Sequence, residues 1–355
     1  MAIEIDLEKA RAIKDAIGSR LALAPLAAQD QNVADLDQYE PEWIDVPFKR
    51  PIKIYWDWNT LLLPATARIK DPRLAIIGAT MSWCCELSSL VAESLFDTLG
   101  FEHVWSSHYR LSTLARNAVS EPARTFAHKA VVKDGQTYHI VCATFKGTTT
   151  TDDAITDVKS VGDGFLEAGE NCAAALAEYV RGIEGATDTN TVLFICGHSL
   201  GAAVANVVGR LTRGIAEDDM RFVYTYASPN YECGDDATSG YAFPNFRTFT
   251  NVDDAVPTVP PTYTKIGIEY TYDIKALDAD QRARFDAAYH YFRGVPFDQD
   301  SDPIGLGITR IDDPTLAEVL KNHLLATYMS LIISELSDDQ MKFGVEEEEE
   351  DEVTE

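Results

Sequence analysis

Between residues 137 and 251 short apolar runs alternate with longer stretches of helical period: TYHIVCATF, EAGENCAAALAEYVRGI, TVLFIC, LGAAVANVVGRLTRGI, RFVYTYAS and FRTFTN follow one another. Runs of four to eight β-branched and aromatic residues read as strands, and the intervening Ala/Val/Leu-rich stretches as helices. Such alternation predicts an α/β fold, a parallel sheet covered on both faces. Upstream, Leu74, Ile77, Met81, Leu87, Leu90, Val91 and Leu95 fit one helix from Asp71 to Leu99, stopped by Gly100. HKAVVKDG followed by TYHIVCATFKG reads as a hairpin about Lys133-Asp134-Gly135. Downstream, ALDADQRARFDAAYHYF is helical inside an irregular region, 273–312, and a last long helix opens at Asp313-Pro314 and runs to about Leu336, with the acid as cap and proline in the first turn.

The same patterning divides the chain. Residues 1–70 combine an amphipathic helix, Leu7 to Leu23, with a polar loop and the aromatic strand IKIYWDW, and read as an N-terminal extension packed on the main domain, 71–340. Residues 341–355 hold the run EEEEEDE, which repels itself and reads as a disordered acidic tail.

Composition narrows the classes. At 355 residues and 46% hydrophobic content the chain can bury a substantial core. With 30 basic against 57 acidic residues, the net charge of −27 repels phosphate backbones and anionic lipid, which argues against nucleic acid as a partner and for transient lipid-surface contact at most. Cys84, Cys85, Cys142, Cys172, Cys196 and Cys233 lack metal-like CxxC spacing and read as core thiols, so neither a metal nor a cofactor is expected. No apolar segment has the length of a membrane span or the position of a secretory h-region, and a cytoplasmic location is the expectation. The oligomeric state has no signature here.

The chemistry concentrates in TVLFICGHSLGAAVANVVGR, residues 191–210. In a strand-to-helix turn of the form G-x-S-x-G the serine sits in a strained backbone conformation, and its neighbours must be small for strand and helix to approach. Gly197, Gly201, Ala202, Ala203 and Ala205 meet that demand, and Ser199 is the candidate nucleophile. His198 points away from Ser199 in such a turn and reads as a packing or hydrogen-bonding residue rather than the base.

An alcohol needs an imidazole to take its proton and a carboxylate to orient that imidazole. Only His290 and His323 follow Ser199, as the order nucleophile, acid, base requires. His323 falls on the apolar stripe near the middle of the last helix, with Leu316, Val319 and Leu320, and is the stronger candidate; His290 sits on a more polar segment. For the acid, Asp253 and Asp254 both leave the end of the strand FRTFT, where open α/β sheets place their ligands, and an Asx-turn is the alternative use of either. Spacing does not choose between them.

The blocks FKGTTTTDDAITD, DGFLEAG, TVLFICGHSLGAAVA, YASPNYECG, FTNVDDAVPTVPP and NHLLATY resemble, in order and across residues 75–335, the successive blocks of the class 3 lipases, the fungal-lipase-like branch of the α/β-hydrolases. The resemblance implies an α/β-hydrolase fold, a mostly parallel sheet with helices on both faces. It implies that the catalytic acid is Asp254, before a small apolar pair and proline. It further implies an oxyanion hole made by the backbone N–H and hydroxyl of Thr148 and the backbone N–H of Leu200. Lys146 stands where the family usually has arginine, Ala202 where a second glycine is common, and Ala154 where an aromatic often sits at the base of the lid. The lid, within Asp152 to Asp163, is short and polar, which points to soluble or short-chain esters. The resulting expectation is a serine carboxylic-ester hydrolase acting on acylglycerols or related esters, with Ser199, Asp254 and His323 as its triad. A phospholipase A1 and a non-catalytic lipid-binding protein on the same scaffold are the alternatives.

Overall fold

Asp134 and Gly135 both adopt positive φ, 52° and 73°, in the computed structural model of the chain, and reverse it between β5 (Arg124–Lys133) and β6 (Gln136–Phe145). This is the turn that Asp-Gly favours, because its backbone twist matches that of the strands it joins. The structure describes residues 34–38, 42–46, 52–59, 70–107, 122–147, 162–231, 243, 245–261, 264–300, 314–336 and 341–343. The chain divides into two compact units, Met1–Ala34 and Asp35–Glu355. The helix expected from Leu7 to Leu23 lies outside the described residues.

From β6 onward the strands run parallel. β7 (Thr191–His198), β8 (Arg221–Tyr226), β9 (Phe246–Asn251) and β10 (Ile268–Tyr272) follow in space as in sequence. On the other side β5 pairs antiparallel with β6, and β4 (Glu102–Ser106) antiparallel with β5. With β1 (Ala34–Asp35) the main sheet has eight strands in the order β1-β5-β6-β7-β8-β9-β10, β4 lying off this path. Every residue of β7, β8 and β9 is buried, the signature of strands covered on both faces.

The covering helices come from the expected segments, with two differences. On one face α3 (Gly162–Arg181) and α4 (Leu200–Leu211) pack Phe165, Ala168, Cys172, Val204 and Val208 against Val141, Leu193 and Val223 of the sheet. On the other, α1 (Pro72–Leu87) is buried nearly all round, and its apolar positions therefore show no stripe. The single helix expected from Asp71 to Leu99 breaks at Ser88, which is extended (φ −173°, ψ 163°) and accepts the Val91 N–H as cap of α2 (Ser89–Thr98). After α5 (Ala279–Arg293), the expected long last helix breaks as well. α6 (Pro314–His323) ends at the histidine, Leu324 is extended (φ −60°, ψ 139°), and α7 (Leu325–Ser334) follows. The Thr327 hydroxyl caps the break by donating to the Lys321 carbonyl at 2.6 Å.

The aromatic strand appears as β3 (Ile52–Trp56), paired antiparallel with β2 (Glu42–Val46) and with β11 (Met341–Phe343) in a separate three-stranded sheet. Residues 341–343, assigned to the acidic tail by composition, are thus strand. Cys84, Cys85, Cys142, Cys172 and Cys196 are free and buried, as core thiols should be. Among the described residues no helix is long and apolar enough to cross a membrane.

Candidate active site

Strand β7 delivers the chain to Ser199 with φ 56° and ψ −128°, a conformation that costs a non-glycine residue about 1–3 kcal/mol and persists only where the surroundings enforce it. Here they do. The Ser199 N–H donates to the Tyr226 carbonyl at 2.9 Å, which ties the elbow to the end of β8. A Cβ on Gly197 would stand 2.3 Å from the Gly201 carbonyl oxygen, and one on Gly201 only 2.2 Å from that of Phe145, so both elbow glycines are required by close approach of backbone. The loop leaving β6 is held as closely, since a Cβ on Gly147 would lie 2.8 Å from the His198 carbonyl oxygen.

Three side chains from three separate segments meet at this elbow. His323, the last residue of α6, has Nε2 2.9 Å from Ser199 Oγ and Nδ1 2.9 Å from Asp254 Oδ2. Their exposures are 3% for Ser199, 2% for Asp254 and 8% for His323, so the contacts lie largely out of water. Because a carboxylate only accepts, His323 donates from Nδ1, and Nε2 is left to accept from the serine hydroxyl.

Asp254 is positioned by the turn that follows β9. Its N–H donates to the Asn251 carbonyl at 3.0 Å, its Oδ1 accepts the Val256 N–H at 2.9 Å, and its Oδ2 accepts the Tyr328 hydroxyl at 2.7 Å beside His323. The Asx-turn and the contact with the imidazole are therefore two uses of one carboxylate, one oxygen for each. Asp253 turns outward to an ion pair with the exposed Lys275 at 3.0 Å. His290 is exposed on α5 and takes no part in the cluster.

The break at Leu324 corrects the expectation for His323, which sits at the end of a helix rather than in the middle of one. Two consequences follow. Asn322 remains on α6 and accepts from the Asn251 side chain at 3.1 Å, linking the residue before His323 to the end of β9. The His323 carbonyl, released from helical pairing, accepts from His198 Nε2 at 2.9 Å. His198 in turn meets Glu86 of α1 through Nδ1 at 2.6 Å, a hydrogen-bonding role of the kind expected of it.

Leu200 opens α4 directly after Ser199, where helix N–H groups point outward from the first turn. Thr148, Ala154 and residues 152–161 of the expected lid lie outside the described residues; Gly162 and Asp163 open α3. Lys146 and Ala202 are buried. Glu86 and Tyr328 were not singled out in the sequence, where each is one more residue of a helical run. Among the described residues no group of His, Cys, Asp and Glu could hold a metal ion.

Solved structures similar to this chain include a triacylglyceride lipase of Rhizomucor miehei, 17% identical over 56% of this chain and 78% of that one with a TM-score of 0.39. A Rhizomucor miehei lipase propeptide complex is 18% identical over 56% and 67% of the two chains with a TM-score of 0.38. A lipase from Rhizopus microsporus var. chinensis is 15% identical over 64% and 82% with a TM-score of 0.35. No curated protein matches the chain. The α/β-hydrolase architecture stands on the parallel sheet and the serine elbow after β7. Residues 132–264, from the end of β5 through the elbow and Asp254, match the family Lipase (class 3).

Proposed function

We propose that the protein is a serine carboxylic-ester hydrolase that cleaves acylglycerols or related esters through an acyl-enzyme intermediate. The observation that carries this reading is the unbroken chain of hydrogen bonds from Asp254 through His323 to Ser199 at a strained strand-to-helix elbow. Ser199 Oγ attacks the ester carbonyl carbon while His323 Nε2 takes the hydroxyl proton, and Asp254 holds the imidazolium that forms. The carbonyl oxygen becomes an oxyanion beside the N-terminus of α4, where the Leu200 N–H and the backbone N–H and hydroxyl of Thr148 receive it. When the tetrahedral intermediate collapses, the C–O bond to the alcohol breaks and His323 returns its proton to the leaving oxygen. Water, deprotonated by the same imidazole, then attacks the acyl-enzyme, releasing the fatty acid and regenerating Ser199.

The partner required is an ester or lipid small molecule. Purified protein should hydrolyse a p-nitrophenyl ester and take a fluorophosphonate label on Ser199. Ser199→Ala should abolish the label and lower turnover by at least about 10⁴-fold. Wild-type turnover in that variant would overturn the serine mechanism. A comparison of fatty acid release from a diacylglycerol, a triacylglycerol and a neutral phospholipid, with and without emulsion, fixes the substrate.

A further inference from the structure

His198 lies against the proposed base, with ring centroids 4.8 Å apart, yet no step of the reaction uses it. Both of its ring nitrogens are engaged, and both partners are oxygens that only accept: the Glu86 carboxylate at Nδ1, 2.6 Å away, and the His323 carbonyl at Nε2, 2.9 Å away. An imidazole that donates from both nitrogens carries two protons and a positive charge. The geometry points to Glu86 and His198 as a positioning pair for His323: the pair holds the main chain of the proposed base through its carbonyl and stands a fixed cation beside its ring. This inference rests on the reading of Ser199 and His323 as nucleophile and base.

The surroundings favour the charged form of His198. Burial opposes the charge, but the Glu86 carboxylate, the carbonyl of His323 and the nearby Asp254 outweigh it, and the imidazolium is held above its ordinary range. Each neighbouring element contributes a group. Glu86 comes from α1, Asp254 from the turn after β9, His323 from α6, and Tyr328 of α7 places its ring 6.1 Å from that of His198. Buried Lys146, after β6, raises the count of cations near Glu86. On β8 the ladder partner Tyr226 is kept neutral by burial, its phenol donating to the Ala75 carbonyl.

The consequence is functional as well as structural. A fixed cation makes protonation of a neighbouring base cost more, and an effect of that kind is read in the acid limb of a pH–rate profile. Glu86→Gln separates charge from geometry, because the amide can donate to His198 Nδ1 while His198 Nε2 still donates to the His323 carbonyl. His198 then becomes neutral, and the repulsion is lost.

Two measurements test the pair. In the wild-type protein labelled with ¹⁵N-histidine, His198 should carry protons on both ring nitrogens at neutral pH, and in Glu86→Gln one nitrogen should become bare. The acid limb of kcat/KM for a p-nitrophenyl ester should move to higher pH in Glu86→Gln by about one unit, a roughly tenfold loss on that limb. A His198 with one bare nitrogen in the wild type overturns the inference, even if the variant fails to fold; so does an acid limb that superimposes on the wild type's. Ser199→Ala, assayed alongside, tells the two failures apart. If it is inactive while the limb of Glu86→Gln is unmoved, only the role of the pair falls. If it keeps its turnover, the serine reading falls and takes the pair's role with it.

Discussion

Tyr328 and His323 hydrogen-bond to the same oxygen of Asp254, at 2.7 Å and 2.9 Å. The phenol also accepts the Asn251 N–H at 3.1 Å, so it sits between the end of β9 and the carboxylate and fixes the rotation of the acid. Burial with the adjacent carboxylate raises its pKa well above 10, and it donates at any working pH. In Tyr328→Phe the carboxylate loses one donor and the buried Asn251 N–H loses its acceptor. We expect kcat to fall about threefold to tenfold with KM unchanged, and the protein to lose about 1–3 kcal/mol of stability. Steady-state kinetics and urea unfolding read both.

The two adjacent aspartates should separate cleanly. Asp254→Asn would present an amide to His323 and favour the wrong tautomer, with kcat expected to drop about 10³- to 10⁴-fold. Asp253→Asn removes only a surface ion pair with Lys275, and kcat/KM is expected to stay within about twofold of the wild type. Equal losses in both variants would mean that the carboxylates are interchangeable, against the geometry.

The turn between α6 and α7 depends on one hydroxyl. Thr327 is fully buried and closes the break by bonding the Lys321 carbonyl. Thr327→Val keeps the shape and leaves that carbonyl without its partner, at a cost of about 1–3 kcal/mol. The expected result is a Tm lower by several degrees, followed by circular dichroism, with a further loss of activity because His323 sits at that break.

A separate site governs the acid response of the fold. His128 and His139 meet across the hairpin, Nε2 to Nδ1 at 3.1 Å, and His103 stacks on His128 with centroids 6.0 Å apart. Burial, then repulsion from His139 and His103, pushes the His128 imidazole down to about 4. The unfolded chain takes up that proton below about 6.5 and the native protein only below about 4, so the unfolded state binds more protons in this window. Stability should therefore fall as the pH is lowered from 6.5 towards 4, and His128→Gln should flatten the slope in urea midpoints measured across the window. An unchanged slope would place the acid sensitivity elsewhere.

What the sequence disclosed and what it withheld follow from how far apart the causes lie. The elbow was legible because its requirements are local: Gly197 and Gly201 flank Ser199, and the contacts that exclude a side chain arise within that turn and against the neighbouring strand. Asp134-Gly135 was legible for the same reason, since the turn type sets its residues. The break at Leu324 was hidden, because no Gly or Pro marks it and its cap, Thr327, looks like any other residue of a helical run. The break at Ser88 had a cap in plain view, but the apolar spacing ran through it undisturbed. Glu86, more than a hundred residues before His198, has no local signature; only the packing of α1 on the sheet brings it beneath the elbow. For the acid, spacing left Asp253 and Asp254 equal, and the difference lies in which of them faces the end of α6.

The small sheet has a bearing on how the chain is made. β3 lies between β2, which precedes it by a few residues, and β11, which is nearly three hundred residues further on. During synthesis the hairpin of β2 and β3 emerges early, and the outer flank of β3 stays uncovered until Met341–Phe343 has left the ribosome. Translation that stops anywhere before residue 341 would leave a β-edge with nothing to cover it, so incomplete chains of this protein should be prone to self-association.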